Sequence, residues 1–181
     1  MLNTKRLILR QWEQDDFIPF EQLCADTDVM EFFPKPLTPE ESRDLGSRIR
    51  SLIQERDWGF WAVEIPDQEK FIGFVGLHTP NENLPFSPCV EIGWRLTKTY
   101  WGQGYATEAA KEALRYAFIE LDVNEVVSFT SLVNRRSQAV MEKIGMSNTG
   151  QNFMHPDIEA GHILCEHVLY KIKKQDWQNT L

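Results

Sequence analysis

Two glycines one residue apart, Gly102 and Gly104, interrupt the stretch from Val90 to Ala110, VEIGWRLTKTYWGQGYATEAA. They fall where a strand-like pattern gives way to a helix-like one. Glycine removes side chains at the point where the first N–H groups of a helix, lacking intrahelical partners, face outward. Such an end attracts phosphate through its free donors and the positive pole of the helix dipole. The chemistry these residues suggest is the holding of a phosphate-bearing ligand by main-chain groups.

Two familiar glycine-rich sites do not fit. A Walker phosphate loop needs Lys followed by Ser or Thr directly after the glycines, and Tyr105-Ala106 stands there instead. A dinucleotide fingerprint needs a third small residue three positions after Gly104, where the chain has Thr107, and no early parallel strand–helix–strand unit precedes it. A purely structural turn between strand and helix remains as the plain alternative. No CxxC pair or Cys/His cluster at zinc spacing occurs, so no metal is expected.

The elements that must position this turn follow from periodicity. Val90, Ile92, Trp94 and Leu96 alternate with Glu91, Gly93, Arg95 and Thr97, as in a strand. From Ala106 to about Leu121, Ala109, Ala110, Ala113, Leu114, Ala117 and Phe118 recur at helical spacing. Upstream, a first strand is expected over Thr4 to Gln11, and a short helix from Gln14 that buries Phe17, Phe20 and Leu23. A longer helix opens at Thr38-Pro39-Glu40-Glu41, a Thr cap followed by Pro and acid in the first turn, and runs to about Arg56. Its apolar face is expected to be Leu45, Ile49, Leu52 and Ile53. Phe60 to Ile65 and Phe71 to Leu77 read as a hairpin across Pro66 to Glu69, with Gly73 and Gly76 marking a bulge or a close backbone approach. Downstream come a strand from Glu125 to Leu132 and a helix from Asn134 to Ile144 capped by Gly145. A closing strand pair follows, Met146 to Phe153 and His162 to Ile172. The loops Glu31 to Pro39, Thr79 to Pro88 and His155 to Gly161 are placed to shape a pocket.

The bulk properties suit this picture. The chain has 181 residues, 42% hydrophobic and 25% charged, enough for a single compact α/β domain over 1–181 with a full core. A net charge of −8 argues against a nucleic-acid partner. Cys24, Cys89 and Cys165 are odd in number and far apart, which fits reduced, cytoplasmic thiols. No apolar run is long enough to cross a bilayer.

Two motifs carry a family resemblance. Gly102-Gln103-Gly104-Tyr105-Ala106 resembles the acyl-CoA pyrophosphate loop of the GNAT N-acetyltransferase superfamily. Trp101 stands where Arg or Gln is usual, and the run Trp-Gly-x-Gly-Tyr-Ala-Thr-Glu-Ala is similar to the branch that contains the RimJ and RimL ribosomal-protein acetyltransferases. Asn134-Arg135-Arg136-Ser137 through Lys143-Ile144-Gly145-Met146 resembles the superfamily's Asn-x-x-Ala/Ser … Lys-x-Gly-Phe helix. His167-Val168-Leu169-Tyr170 is similar to the closing strand of the branch. Element order agrees from about Thr4 to Lys173.

The resemblance implies the GNAT fold, a twisted mixed sheet of about six or seven strands with helices on both faces. It implies acetyl-CoA as co-substrate and direct transfer to a primary amine, a protein N-terminus or a small amine, with a homodimer unsurprising. Trp94, Arg95 and Leu96 would offer backbone to pantetheine. Gly102, Gln103, Gly104, Tyr105, Ala106 and Thr107 would hold the pyrophosphate, with Asn134 and Ser137 flanking the other side.

Transfer from a thioester to an amine of pKa ~10 requires a base, an oxyanion donor and a leaving thiolate. By the resemblance, a main-chain N–H of the Trp94 strand is the oxyanion donor. Glu91 is the first candidate base; its alternative role is an ion pair with Arg95, further along the strand on the same face. His155 is a second candidate, in a loop where this branch contacts its acceptor, or else a residue capping a turn beside Pro156. His167 reads as a core histidine. The superfamily's thiolate-protonating Tyr is replaced by Met141, leaving Ser137 as the candidate acid or as a small residue that lets the cofactor approach. The substitution at 141 also keeps open a non-catalytic acyl-CoA-binding module.

Overall fold

The computed structural model describes residues 1–80 and 83–179. Its elements are β1 (Leu2–Asn3), β2 (Ile8–Arg10), α1 (Phe17–Ala25), α2 (Pro39–Arg56), β3 (Phe60–Glu64), β4 (Gly73–His78), β5 (Glu91–Leu96), α3 (Tyr105–Ile119), β6 (Glu125–Ser131), α4 (Arg135–Lys143), β7 (Ser147–Asn148), β8 (Phe153–Met154), β9 (Glu166–Lys173) and α5 (Lys174–Gln178). Strand order is β1-β2-β3-β4-β5-β6-β9-β7, with β8 also on β9. Every pairing is antiparallel except β5 with β6. The expected mixed α/β sheet is therefore present, widened by the two-residue strands β1, β7 and β8.

Strand register sorts the two faces. Trp61, Val75 and Trp94 stand side by side across β3, β4 and β5. Trp61 meets Tyr116 of α3 edge-on at 5.2 Å, so α3 covers this face. Ala109, Ala110, Ala113 and Ala117 are fully buried in α3, and their small side chains bring its axis close to the sheet. Ala62, Phe74 and Arg95 form the neighbouring row on the opposite face. There Phe74 packs against Phe20 of α1, and Trp12 sits edge-on to Phe20 at 4.9 Å while its Nε1 donates to the Phe60 carbonyl at 2.8 Å. The helix α2 starts where its capping residues dictate: Thr38 Oγ1 accepts from Glu41 N, and Glu41 Oε2 accepts from Thr38 N. Its buried face includes Ile49 and Ile53, with Leu45 and Leu52 half-buried.

Three expectations need correcting. The first strand does not start at Thr4: Thr4 Oγ1 accepts from Leu7 N at 2.9 Å, and this local bond turns the chain into the β1–β2 hairpin. The Met146 to Phe153 strand is broken between β7 and β8. Asn148 Oδ1 accepts from Gly150 N and Thr149 Oγ1 from Gln151 N, so residues 149–152 bulge opposite Val168 and Leu169, and the register with β9 shifts by two. Residues from His162 onward first form a turn, with His162 Nδ1 accepting from Leu164 N, and β9 begins only at Glu166. The chain ends the sheet with α5, whose Trp177 packs on Phe118. In the Thr79 to Pro88 loop, Asn81 and Glu82 lie outside the described residues.

The glycines of β4 are explained by close approach. A Cβ on Gly76 would stand 2.0 Å from the Gly59 carbonyl oxygen, and one on Gly73 2.1 Å from that of Arg95. Because both neighbours are backbone, neither can step aside. Gly76→Ala should lower the unfolding free energy by about 3 kcal/mol, at the upper end of overpacking costs. A urea midpoint equal to that of the parent would contradict this.

Candidate active site

Strands β5 and β6 touch at one point and then part. Glu91 pairs with Val127, and Val127 N donates to the Val90 carbonyl at 2.9 Å. One step on, the Ile92 carbonyl is met by a side chain instead, Ser128 Oγ at 2.9 Å. Beyond it β6 pairs only with β9. On β5 the residues 91, 93 and 95 serve the β4 ladder, so alternation turns the N–H and C=O of Trp94 toward the gap. A cleft of about 720 Å³ occupies this gap and continues to the glycine turn.

The turn is built as expected and braced in a way that was not. Gly104 is the N-cap of α3 with φ +82, a left-handed conformation natural to glycine. The helical ladder first closes at Glu108 N to Gly104 O, which leaves the preceding N–H groups at the helix mouth without intrahelical acceptors. The bracing comes from the β1–β2 turn. Glu108 Oε1 accepts from Thr4 Oγ1 at 2.6 Å and from Arg6 N at 2.8 Å, while Oε2 accepts from Arg6 Nε at 2.7 Å. Arg6 Nη1 donates to the Gln103 carbonyl at 3.0 Å, and its guanidinium lies 4.5 Å from the centre of the Tyr105 ring. Burial acts to raise the Glu108 pKa, but the bonds from Thr4 and Arg6 outweigh it and hold the carboxyl below its usual value.

Trp101 occupies its position for a local reason. Its Nε1 donates to the Leu96 carbonyl at 2.8 Å, tying the turn back to the end of β5. Arg136 of α4 lies over its ring at 4.4 Å and donates to Glu31 at 2.6 Å. The α1–α2 loop is thereby drawn over the cleft, where Phe32, Phe33 and Pro34 form part of the wall.

On the far side, Asn134 caps α4. Its Oδ1 accepts from Ser137 N, and its Nδ2 donates to Thr130 Oγ1 at 2.9 Å and Ser137 Oγ at 3.1 Å. The amide of Asn134 is thus spent on orienting Ser137 and β6. Ser137 Oγ accepts in that bond and keeps its own proton to donate. Met141 is 1% exposed at the cleft wall and carries no donor.

Glu91 lines the cleft on the α1 face, with Oε1 3.8 Å from where a Cβ on Gly93 would stand. The expected alternative, an ion pair with Arg95, does not form: Arg95 Nη1 donates to Cys24 Sγ at 3.3 Å instead. His155 and His167 both line the cleft with ring centres 4.9 Å apart. His167 was expected in the core; it is buried, but its ring also closes the cleft, because the β8–β9 pairing opposes it to Phe153. Burial lowers its pKa to about 4, with a bond to the Cys165 carbonyl acting against the shift, so the imidazole is neutral near pH 7.

Comparison with known proteins agrees with this geometry. Residues 6–147 match the model of the acetyltransferase (GNAT) domain family. The chain belongs to the GNAT acetyltransferase family. This GNAT chain is 28% identical over 183 residues to the uncharacterized N-acetyltransferase YnaD of Bacillus subtilis, covering 97% of the chain and 98% of that relative. It is 32% identical to the FsC-acetyl coenzyme A-N(2)-transacetylase of Aspergillus fumigatus over 86% of the chain and 68% of that enzyme. Among solved structures, a GNAT-family acetyltransferase from Bacillus anthracis superposes with a TM-score of 0.78 at 26% identity, covering 96% of this chain and 98% of that one. The chain is therefore an N-acetyltransferase by family and by fold.

Of the residues singled out in the sequence of this GNAT chain, Glu91, Trp94, Arg95, Leu96, Gly102, Gly104, Tyr105, Ala106, Thr107, Asn134, Ser137 and His155 all border the one cleft. Gln103 does not: its Nε2 turns back to the Thr99 carbonyl at 3.0 Å, and only its backbone belongs to the turn. Arg6, Glu108, Arg136 and Thr130 were missed. The contacts of Arg6, Glu108 and Arg136 span about a hundred residues, while Thr130 meets Asn134 only because the chain turns between β6 and α4. Among the described residues no cluster of His, Cys, Asp or Glu could hold a metal ion, and no helix is long and apolar enough to cross a membrane.

The Glu108 clamp makes a pH prediction. A carboxyl held below its unfolded value of ~4.3 contributes stability that is present above that value and lost as pH falls through the folded one. Glu108→Gln should cost about 1 kcal/mol near neutrality, and the gap to the parent should close below about pH 4. Chemical denaturation at pH 7 and pH 3.5 measures both; a gap unchanged at the lower pH would show that charge is not involved.

Proposed function

We propose that this protein transfers the acetyl group of acetyl-CoA to a primary amine by direct attack in a ternary complex. The observation that carries the reading is the continuity of the cleft. One space joins a helix mouth of unpaired N–H groups, the exposed edge of β5 and a carboxylate on the far face. A pyrophosphate fits the first, a pantetheine arm the second and an amine the third. The name of the Aspergillus relative, which specifies acetyl coenzyme A, supports the choice of donor.

In the reaction, Glu91 removes a proton from the ammonium group, directly or through water. The freed nitrogen attacks the thioester carbonyl carbon. The Trp94 N–H, pointing into the gap, stabilises the oxyanion that forms. As the intermediate collapses the C–S bond breaks, the second proton of the attacking nitrogen passes through Ser137 Oγ or water to the leaving thiolate, and the neutral amide is released. A thiol of pKa near ~8.5 is a tolerable leaving group without strong acid assistance, which accommodates Met141 at the position where the superfamily has Tyr. Main-chain groups do the cofactor binding, and the acceptor is a small amine or a protein N-terminus.

Isothermal titration with acetyl-CoA tests the donor, and absence of binding at millimolar ligand would end this reading. Gly104→Glu, which sets a carboxylate among the phosphates, should weaken acetyl-CoA affinity at least ~100-fold relative to Gly104→Ala, which carries the same backbone strain of ~1 kcal/mol without the charge. Equal affinities would show that the phosphates lie elsewhere. Glu91→Gln should reduce kcat by ~10²–10⁴-fold, the usual range for loss of a general base. A kcat within a few-fold of the parent, read by thiol release, would remove Glu91 from the mechanism.

A further inference from the structure

Two arginines beside α1, Arg10 buried and Arg95 half-buried, are held very differently. Arg10 is 8% exposed and every arm of its guanidinium is engaged. It donates to both oxygens of Asp16 at 2.8 and 3.0 Å, to Glu64 at 2.7 Å, and to the carbonyls of Gln11 and Lys70. Asp16 foremost, against the desolvation of burial, holds that charge firmly in place. Arg95 has no such company. Its Nη1 meets the sulfur of Cys24 at 3.3 Å, its Nε is buried with no partner, and none of the ion pairs among the described residues includes it. The remaining neighbours are rings: Phe33 at 4.3 Å and Phe74 at 5.4 Å from the guanidinium carbon.

A guanidinium stays charged in a protein, so holding it partly out of water without an anion is a standing cost. Rings and a thiol offset only part of that cost. Burial depresses the Arg95 pKa, the thiol of Cys24 acting weakly against it, which is the signature of a cation short of counter-charge. Yet Arg95 borders the reaction cleft. It lies on the same strand face as Glu91, four residues along β5, or ~13 Å at ~3.3 Å per residue. Glu91 and Arg95 thus face the same side of the sheet at the cleft, with Phe60, Phe74 and Phe33 also among its lining residues.

We infer that Arg95 receives a carboxylate carried by the amine acceptor, several bonds away from the amine that Glu91 deprotonates. This rests on the acetyl-transfer reading and narrows it to a class: ω-amino acids, short peptides and other amines with a distant carboxylate. The apolar walls would suit a chain between the two charged ends. A planar guanidinium whose Nε lacks a partner offers a carboxylate a forked pair of donors, which a point charge would not. Phe33 belongs to the α1–α2 loop that Arg136 and Glu31 hold over the cleft, so that the same loop would cover the pair once formed.

Matched acceptors test this: 6-aminohexanoate against hexylamine, and glycylglycine against its amide, each with acetyl-CoA and thiol release as the readout. The parent protein should favour the carboxylate member at least ~10-fold in kcat/KM, as one charge-assisted pair predicts. Arg95→Met should bring that ratio to about one, and Arg95→Lys should restore part of it. Equal kcat/KM within both pairs for the parent protein would overturn the inference while leaving acetyl transfer intact, and needs no variant to fold. A ratio unchanged in Arg95→Met would overturn it equally. Preference for succinyl-CoA over acetyl-CoA, without acceptor preference, would assign the carboxylate to the donor instead and overturn the acceptor assignment. Absence of thiol release with these and all other amines would end the acetyl-transfer reading itself, and is told apart because no acceptor is then used at all.

Discussion

Everything at the active site depends on two neighbouring strands failing to stay together. A parallel pair normally continues its ladder, since each unbonded N–H or C=O left in the interior costs free energy. In this protein β5 and β6 share one paired position, then a serine hydroxyl takes over as a wedge, and beyond it β6 pairs with β9. The freed edge of β5 is left for a ligand. The rest of the sheet compensates by being nearly continuous, with the β3–β4–β5 ladder packed so closely that side chains are excluded at two glycines. Rigidity on one side of the gap is what keeps the other side open.

Around that gap, polar side chains are spent on holding backbone rather than on meeting a ligand. Asn134 is absorbed in capping α4, Trp101 in tying the turn to β5, Gln103 in bonding the segment before it, and Glu108 in receiving the β1–β2 turn. A site that uses main-chain donors needs this kind of support, because the position of an N–H is only as exact as the turn that carries it. It also explains why the pattern of glycines and small residues is more informative than the identities of the polar residues between them.

How far the sequence disclosed this depended on range. The strand from Glu91, the glycine turn, helix α3 and the Asn134 helix were legible because each rests on local periodicity or a local cap. The break between β7 and β8 was not, since two side-chain turns at Asn148 and Thr149 overrule an extended pattern. Nor was the hairpin at Thr4, where one hydroxyl redirects an otherwise strand-like run. Within the site, alternation placed Glu91 and Arg95 on one face and left open whether they pair. The structure sends Arg95 to Cys24, a residue 71 positions away, which no spacing rule could anticipate. His167 lines the cleft through the register of a two-residue strand, equally invisible in advance.

The clamp from Arg6 to Glu108 joins residues 102 positions apart and couples the glycine turn to the β1–β2 hairpin. Thermodynamic linkage makes the relation mutual: a ligand seated in the turn adds its binding free energy to the docking of the β1–β2 hairpin. Occupancy of the helix mouth would then be readable, without any probe near it, as slower hydrogen exchange in the opening residues of the chain.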